Sequence, residues 1–108
     1  MIADGFVPVA RMTDIPDGEL IAVDAPDGEA VCLVNVGGDI YALRDSCTHQ
    51  EFPISAGALM DDGTIECPLH GARFDARTGR VCLGPAVDDI PQYTVRIERD
   101  TILLGPRA

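Results

Sequence analysis

Cys47-Thr48-His49 and Cys67-Pro68-Leu69-His70 hold both histidines of this chain and two of its four cysteines, with seventeen residues, 50 to 66, between them. Each string offers one thiolate and one imidazole. Together they can supply two sulfur and two nitrogen ligands to one site. Such a set suits either a tetrahedral zinc ion or a two-iron cluster with both thiolates on one iron and both imidazoles on the other. Zinc fingers pair two Cys in one knuckle and two His in another, the latter on a helix. Here each string mixes the two types, and Pro68 works against a helix in the second. The mixed pairing suits the cluster better. Packed core cysteines and histidines explain the pattern poorly, because the only two histidines both follow a cysteine at a very short offset.

Outward from these strings the chain reads as short strands punctuated by turns. Phe6 to Ala10, Glu19 to Asp24 and Ala30 to Val36 are expected strands, separated by stretches ending in Pro16-Asp17-Gly18 and Pro26-Asp27-Gly28. Gly37-Gly38 predicts a two-residue hairpin into Asp39 to Arg44. Three further hairpins follow: Ala58 to Met60 with Thr64 to Glu66, Ala72 to Asp75 with Arg80 to Cys82, and Tyr93 to Glu98 with Thr101 to Leu104. Val95, Ile97 and Ile102 fit one buried face. No segment has sustained helical periodicity. The fold class expected is all-β, an antiparallel sandwich or partly open barrel, with residues 46 to 84 as a small inserted unit that carries the ligands.

At 108 residues a single domain, 1 to 108, is expected, with one modest core. Met1 to Ala10 lacks a basic segment followed by a long apolar run, so no signal peptide is expected. No stretch approaches the roughly 20 apolar residues that span a bilayer, which predicts no membrane partner and a soluble, cytoplasmic, monomeric protein. Net charge is −10, from eighteen acidic residues against eight arginines and no lysine. A phosphate backbone would be repelled, so nucleic acid is disfavoured. An acidic surface keeps a protein soluble and equally suits fast, salt-sensitive docking to basic partners. Arg73, Arg77 and Arg80 are expected to give the ligand-bearing end a charge of its own. Cys32 and Cys82, each between apolar neighbours, read as buried thiols rather than a disulfide.

Cys-x-His and Cys-x-x-His at this separation, followed by Gly71, resemble the Rieske [2Fe–2S] signature. The likeness covers nearly the whole chain and includes Gly57, Phe74-Asp75, Thr78-Gly79 and Gly84-Pro85-Ala86. The chain resembles the small Rieske ferredoxins of bacterial ring-hydroxylating oxygenase systems. That resemblance implies a [2Fe–2S] cluster held by Cys47, His49, Cys67 and His70 at one tip of a Rieske-type fold. Gly71 and Pro85 would be supporting residues, the latter in a loop that covers the cluster. Respiratory Rieske proteins add a disulfide and a serine hydroxyl around the centre. Here Phe52, Leu69 and Ala72 stand at those positions and can supply neither. Hydrogen bonds to cluster sulfur raise the potential, so their absence implies a value near the low end of the Rieske range, about −150 mV.

The function implied is a one-electron shuttle from a flavoprotein ferredoxin reductase to a terminal aromatic-ring-hydroxylating oxygenase. The alternative is the small Rieske subunit of a nitrite reductase-like complex. An oxygenase in its own right fails on arithmetic. A non-heme iron site needs two His and a carboxylate, and both histidines are already committed to the cluster. Structural zinc is separated from the shuttle by colour and by metal and sulfide analysis.

Two thiolates cancel the two positive charges of an oxidised [2Fe–2S] core, so imidazole ligation gives a neutral centre that accepts an electron more readily than an all-thiolate one. Ferric iron lowers the pKa of a bound imidazole and reduction raises it again. The potential should therefore fall with pH in the alkaline range. Voltammetry showing a flat potential to about pH 10 would count against imidazole ligands.

Overall fold

The computed structural model describes residues 5–46, 52–68, 71–83 and 88–107. Ten strands run in chain order among them: β1 Val7–Arg11, β2 Leu20–Asp24, β3 Ala30–Val36, β4 Asp39–Arg44, β5 Ala58–Leu59, β6 Thr64–Glu66, β7 Arg73–Asp75, β8 Val81–Leu83, β9 Gln92–Glu98 and β10 Thr101–Arg107. A six-stranded antiparallel sheet has the order β1-β10-β9-β4-β3-β2, and a four-stranded sheet the order β5-β6-β7-β8. The edge strands β1 and β2 come close to one another, so the larger sheet nearly closes. The smaller sheet is inserted between β4 and β9.

The turns form as their residues demand. Gly37 and Gly38 have φ of 64° and 100°, a combination that suits the right-handed twist of a two-residue hairpin, and β3 and β4 pair in register up to Val36 opposite Asp39. The Asp27 carboxylate accepts from the Glu29 amide at 2.9 Å across the β2–β3 turn. Asn35, buried in β3, donates from its side chain to the Ile15 carbonyl and accepts from the Gly38 amide, both at 2.8 Å. No polar atom of its side chain is left unmatched.

Strand β3 is the centre of the molecule, with Val31 to Asn35 all buried. Alternation sends Val31 and Leu33 inside the large sheet with Ile15, Ala42, Ile102 and Leu104. Cys32 and Val34 face the other way, onto Ile65, Phe74 and Ile54 of the inserted unit. One strand thus supplies both cores, and the insertion docks on the outside of the large sheet.

Several expectations are corrected. Strand β10 runs to Arg107 instead of ending at Leu104. Gly105-Pro106 looks like a stop in the sequence. The strand continues through an irregularity between Leu104 and Arg107, where bare Gly105 backbone lies against Thr94 and the Phe6 ring. Ile97 is 42% exposed, although Ile102 opposite it in β10 is fully buried. Two single 3-10 turns, Met12–Asp14 and Ile54–Ala56, are too short to leave a period in the sequence. Cys82 is exposed, since β8 is the edge of the smaller sheet; Cys32 is buried, and neither forms a disulfide.

Gly79 joins the insertion to the body. Its amide donates to the Asp75 carbonyl and its carbonyl accepts from Ile90, at 2.8 and 2.7 Å. A Cβ there would stand 2.1 Å from the Ile90 oxygen, and φ is +78°. Gly28 has φ of +90° with open space around it. Gly28→Ala should lower stability by about 1–2 kcal/mol, the conformational term alone. Gly79→Ala should lower it distinctly more, since backbone must also move; equal losses in urea unfolding would refute the close contact.

Candidate metal centre

Of the four ligands expected from sequence, Cys67 is described. Cys47, His49 and His70 lie outside the described residues, as do Leu69 and Gly84-Pro85-Ala86, the stretch expected to cover the cluster. The site is therefore built from the two loop stems.

The second loop leaves β6 at Glu66 and returns into β7 at Arg73. Cys67 directly follows β6, is fully buried and is in no disulfide. Its amide donates to the Ala72 carbonyl at 2.7 Å, which ties the chain together on either side of residues 68–71. Gly71 adopts φ of +75°, a left-handed conformation that reverses the chain directly after His70. The nearest atom to a Cβ built on Gly71 is the Glu66 carboxylate, at 4.0 Å. The glycine thus meets the turn requirement first. Pro68 is exposed and Ala72 fully buried, so the loop stem has one wet side and one dry.

The first loop, leaving β4, is held by a carboxylate. Asp45 accepts from the Ser55 amide at 2.8 Å and from the Ser55 hydroxyl at 2.6 Å, spanning residues 46 to 54. Ile54 anchors the far side with a fully buried side chain, and Phe52 packs against the same core. This clamp was not foreseen from sequence. Its only signals were an acid two residues before Cys47 and a serine past Pro53.

Gly57 then brings the two stems together. It follows the 3-10 turn that ends the first stem, and a Cβ on it would lie 1.9 Å from the carbonyl oxygen of Glu66, the residue before Cys67. No side chain fits between them. The end of one ligand-bearing segment is thereby pressed onto the start of the other.

The donor chemistry fits an iron–sulfur group. A buried thiol without a disulfide stands at the stem junction, and its string brings an imidazole three residues on. Among the described residues alone no group of His, Cys, Asp and Glu gathers that could hold a metal ion. A hollow of about 440 Å3 between Pro26, Tyr93 and Pro106 is built from the large sheet, apart from the ligand strings. There the Tyr93 hydroxyl donates to Asp27 at 3.2 Å, and burial, then the Asp27 charge, raises its pKa.

The model of the Rieske [2Fe-2S] domain matches residues 5–94. The chain belongs to the Rieske [2Fe–2S] family. Its cofactor is accordingly a Rieske-type cluster. The chain is 41% identical over 97 residues, 90% of its length and 87% of the relative's, to the 3-phenylpropionate/cinnamic acid dioxygenase ferredoxin subunit of Shigella boydii. Among solved structures it is similar to the ferredoxin of carbazole 1,9a-dioxygenase from Nocardioides aromaticivorans IC177, with TM-score 0.88, 35% identity and coverage of 94% and 97% of the two chains. It is also similar to the ferredoxin in a complex of reduced oxygenase and oxidised ferredoxin of carbazole 1,9a-dioxygenase, with TM-score 0.86, 25% identity and coverage of 95% and 94%. This Rieske chain shares its whole fold with electron-carrying ferredoxins.

Arg73, expected to add positive charge at this end, faces Glu66 and Asp62 instead; Arg77 and Arg80 are exposed. Hydrogen bonds from Thr64 hold the Asp62 carboxyl below its usual range, with Arg73 adding to the effect. Cys32 lies behind the stems in the core that contains Cys67. Burial pushes its thiol strongly up, and the Asp45 charge pushes the same way. The folded pKa lies above the unfolded value of 9.0, so this contribution to stability is complete below that pH and is lost as pH rises above it. Above about pH 9 the slope should approach 1.4 kcal/mol per pH unit. Urea unfolding of wild type and Cys32→Ala on both sides of that pH should show the steeper alkaline decline in wild type alone. Parallel declines would exclude the buried thiol as the cause.

Proposed function

We propose that Cys47 and Cys67 hold one iron of the cluster and His49 and His70 the other. In this reading residues 46–84 act as the cluster-binding subdomain of a single domain spanning 1–108. The observation that carries it is the junction of the stems. Buried Cys67 stands beside a Gly57–Glu66 contact too close for any side chain, so the segment that follows the first Cys/His string ends against the start of the second.

The chain serves as the electron carrier of an aromatic-ring-hydroxylating oxygenase system. Electrons come from a flavoprotein ferredoxin reductase and go to the terminal oxygenase. When bound, the cluster supplies reversible one-electron storage. The protein's residues position it, exclude bulk water from the thiolate side through Ala72, Phe74 and Ile54, and leave exposed chain at Pro68 and Leu83 beside the loops. A carrier of this kind needs brief contact with two partners, so a modest polar interface serves it better than a large apolar one. The acidic charge of −10 favours partners with basic docking surfaces. Among the described residues no helix is long and apolar enough to cross a membrane, and a monomeric cytoplasmic protein is in keeping with this role. The names of the similar proteins support a dioxygenase ferredoxin over a subunit of a nitrite reductase-like complex.

The test is reconstitution. Purified chain should be coloured and hold two irons and two sulfides. Adding it to a ferredoxin reductase and a ring-hydroxylating oxygenase should start NADH-dependent product formation. His70→Ala should reduce that rate by at least about 100-fold, since loss of a metal-site ligand removes the group itself. A colourless, zinc-replete protein, or full turnover by His70→Ala without bound iron, would overturn the assignment.

A further inference from the structure

Arg73 pairs with two carboxylates, Glu66 beside the second loop and Asp62 in the turn before β6. The β6–β7 register places Glu66 directly opposite Arg73, each one residue from the loop between Cys67 and Ala72. Ile65 and Phe74, the preceding pair, are fully buried on the core side, so the Glu66–Arg73 pair lies on the reverse face. One terminal guanidinium nitrogen stands 3.4 Å from Glu66 Oε2, the other 3.7 Å from Asp62 Oδ2. Arg73 Nε is buried and has no hydrogen-bond partner among the described residues. Arg73 and Glu66 side chains are 31% and 38% exposed, and half-buried charges are screened by salt far less than fully exposed ones. The Glu66 carboxylate also approaches Gly71, the residue after His70.

We infer that Arg73 is a positioning and charge-compensating residue that sets the reduction potential of the centre, by holding the Glu66 carboxylate on the back of the second ligand loop and offsetting its charge. This rests on the assignment of Cys67 and His70 as ligands. The sign follows from elementary electrostatics. A centre that gains an electron becomes harder to reduce as negative charge accumulates nearby. Asp62, Glu66 and Arg73 together carry one net negative charge. Removing the arginine leaves two, and removing the glutamate leaves none. A purely structural ion pair across β6 and β7 would disturb the loop whichever partner were lost, and would not shift the potential in opposite directions.

The experiment uses cluster-loaded protein: wild type, Glu66→Gln, Arg73→Gln, Arg73→Lys and the Glu66→Gln/Arg73→Gln double variant. Iron, sulfide and the visible circular-dichroism spectrum are recorded for each before the midpoint potential is measured. Glu66→Gln should raise the potential and Arg73→Gln should lower it. Arg73→Lys should stay near wild type, and the double variant should return toward it. Shifts of the same sign in the two single variants, or no shift in either with spectra intact, would overturn the inference and leave the ligand assignment standing. If Arg73→Gln fails to load, Glu66→Gln and Arg73→Lys decide: an unchanged potential in Glu66→Gln refutes the idea. A wild-type protein that binds no iron–sulfur cluster removes the ligand assignment, and the inference falls with it.

Discussion

Backbone passes backbone without a side chain between them where Gly57 meets the carbonyl of Glu66, and the arrangement of the candidate centre depends on that contact. A Cβ would stand 1.9 Å from the oxygen, so only glycine permits the approach. The contact fixes the end of the first ligand segment against the beginning of the second. The Asp45–Ser55 clamp holds the first loop at its base, and the Cys67–Ala72 hydrogen bond closes the second. Both loops are thereby anchored at their stems by bonds that do not depend on the group they hold. Gly79 repeats the principle at the opposite end of the inserted sheet, where its backbone meets Ile90.

That insertion can dock because β3 is buried on both faces. A strand in an antiparallel sheet commonly has one wet face. Here Cys32 and Val34 receive the insertion while Val31 and Leu33 fill the curled sheet. The large sheet therefore acts as a rigid base, and the loops are carried by a smaller sheet clamped to it. For an electron carrier this division is sufficient. Nothing needs to close over a substrate, and the hollow near Tyr93 is built from other strands.

Charge is distributed with similar economy. The chain is acidic overall, yet Arg73 is paired with the carboxylates of Glu66 and Asp62, while Arg77 and Arg80 remain exposed. Sequence proximity suggested one basic cluster of three. Only Arg73 lies on a strand, where pairing sets it opposite Glu66; β7 ends at Asp75, and Arg77 and Arg80 fall in the turn before β8.

Much of this was legible in the chain itself, because it is written in local chemistry. Paired Cys/His strings announce a mixed sulfur and nitrogen donor set. Gly37-Gly38, Pro26-Asp27-Gly28 and Thr78-Gly79 mark turns by the φ they permit, and all ten strands fall near the places those turns dictate. What the fold alone decided are matters of distant neighbours. The exposure of Cys82 follows from its lying on an edge strand, which alternation along one strand does not reveal. The continuation of β10 through Gly105-Pro106 depends on Thr94 and Phe6 across the sheet. The Ser55 clamp, the Gly57 contact and the turning of Arg73 toward Asp62 and Glu66 each join residues whose closeness arises only when separate strands pair, so no periodicity along the chain could carry them.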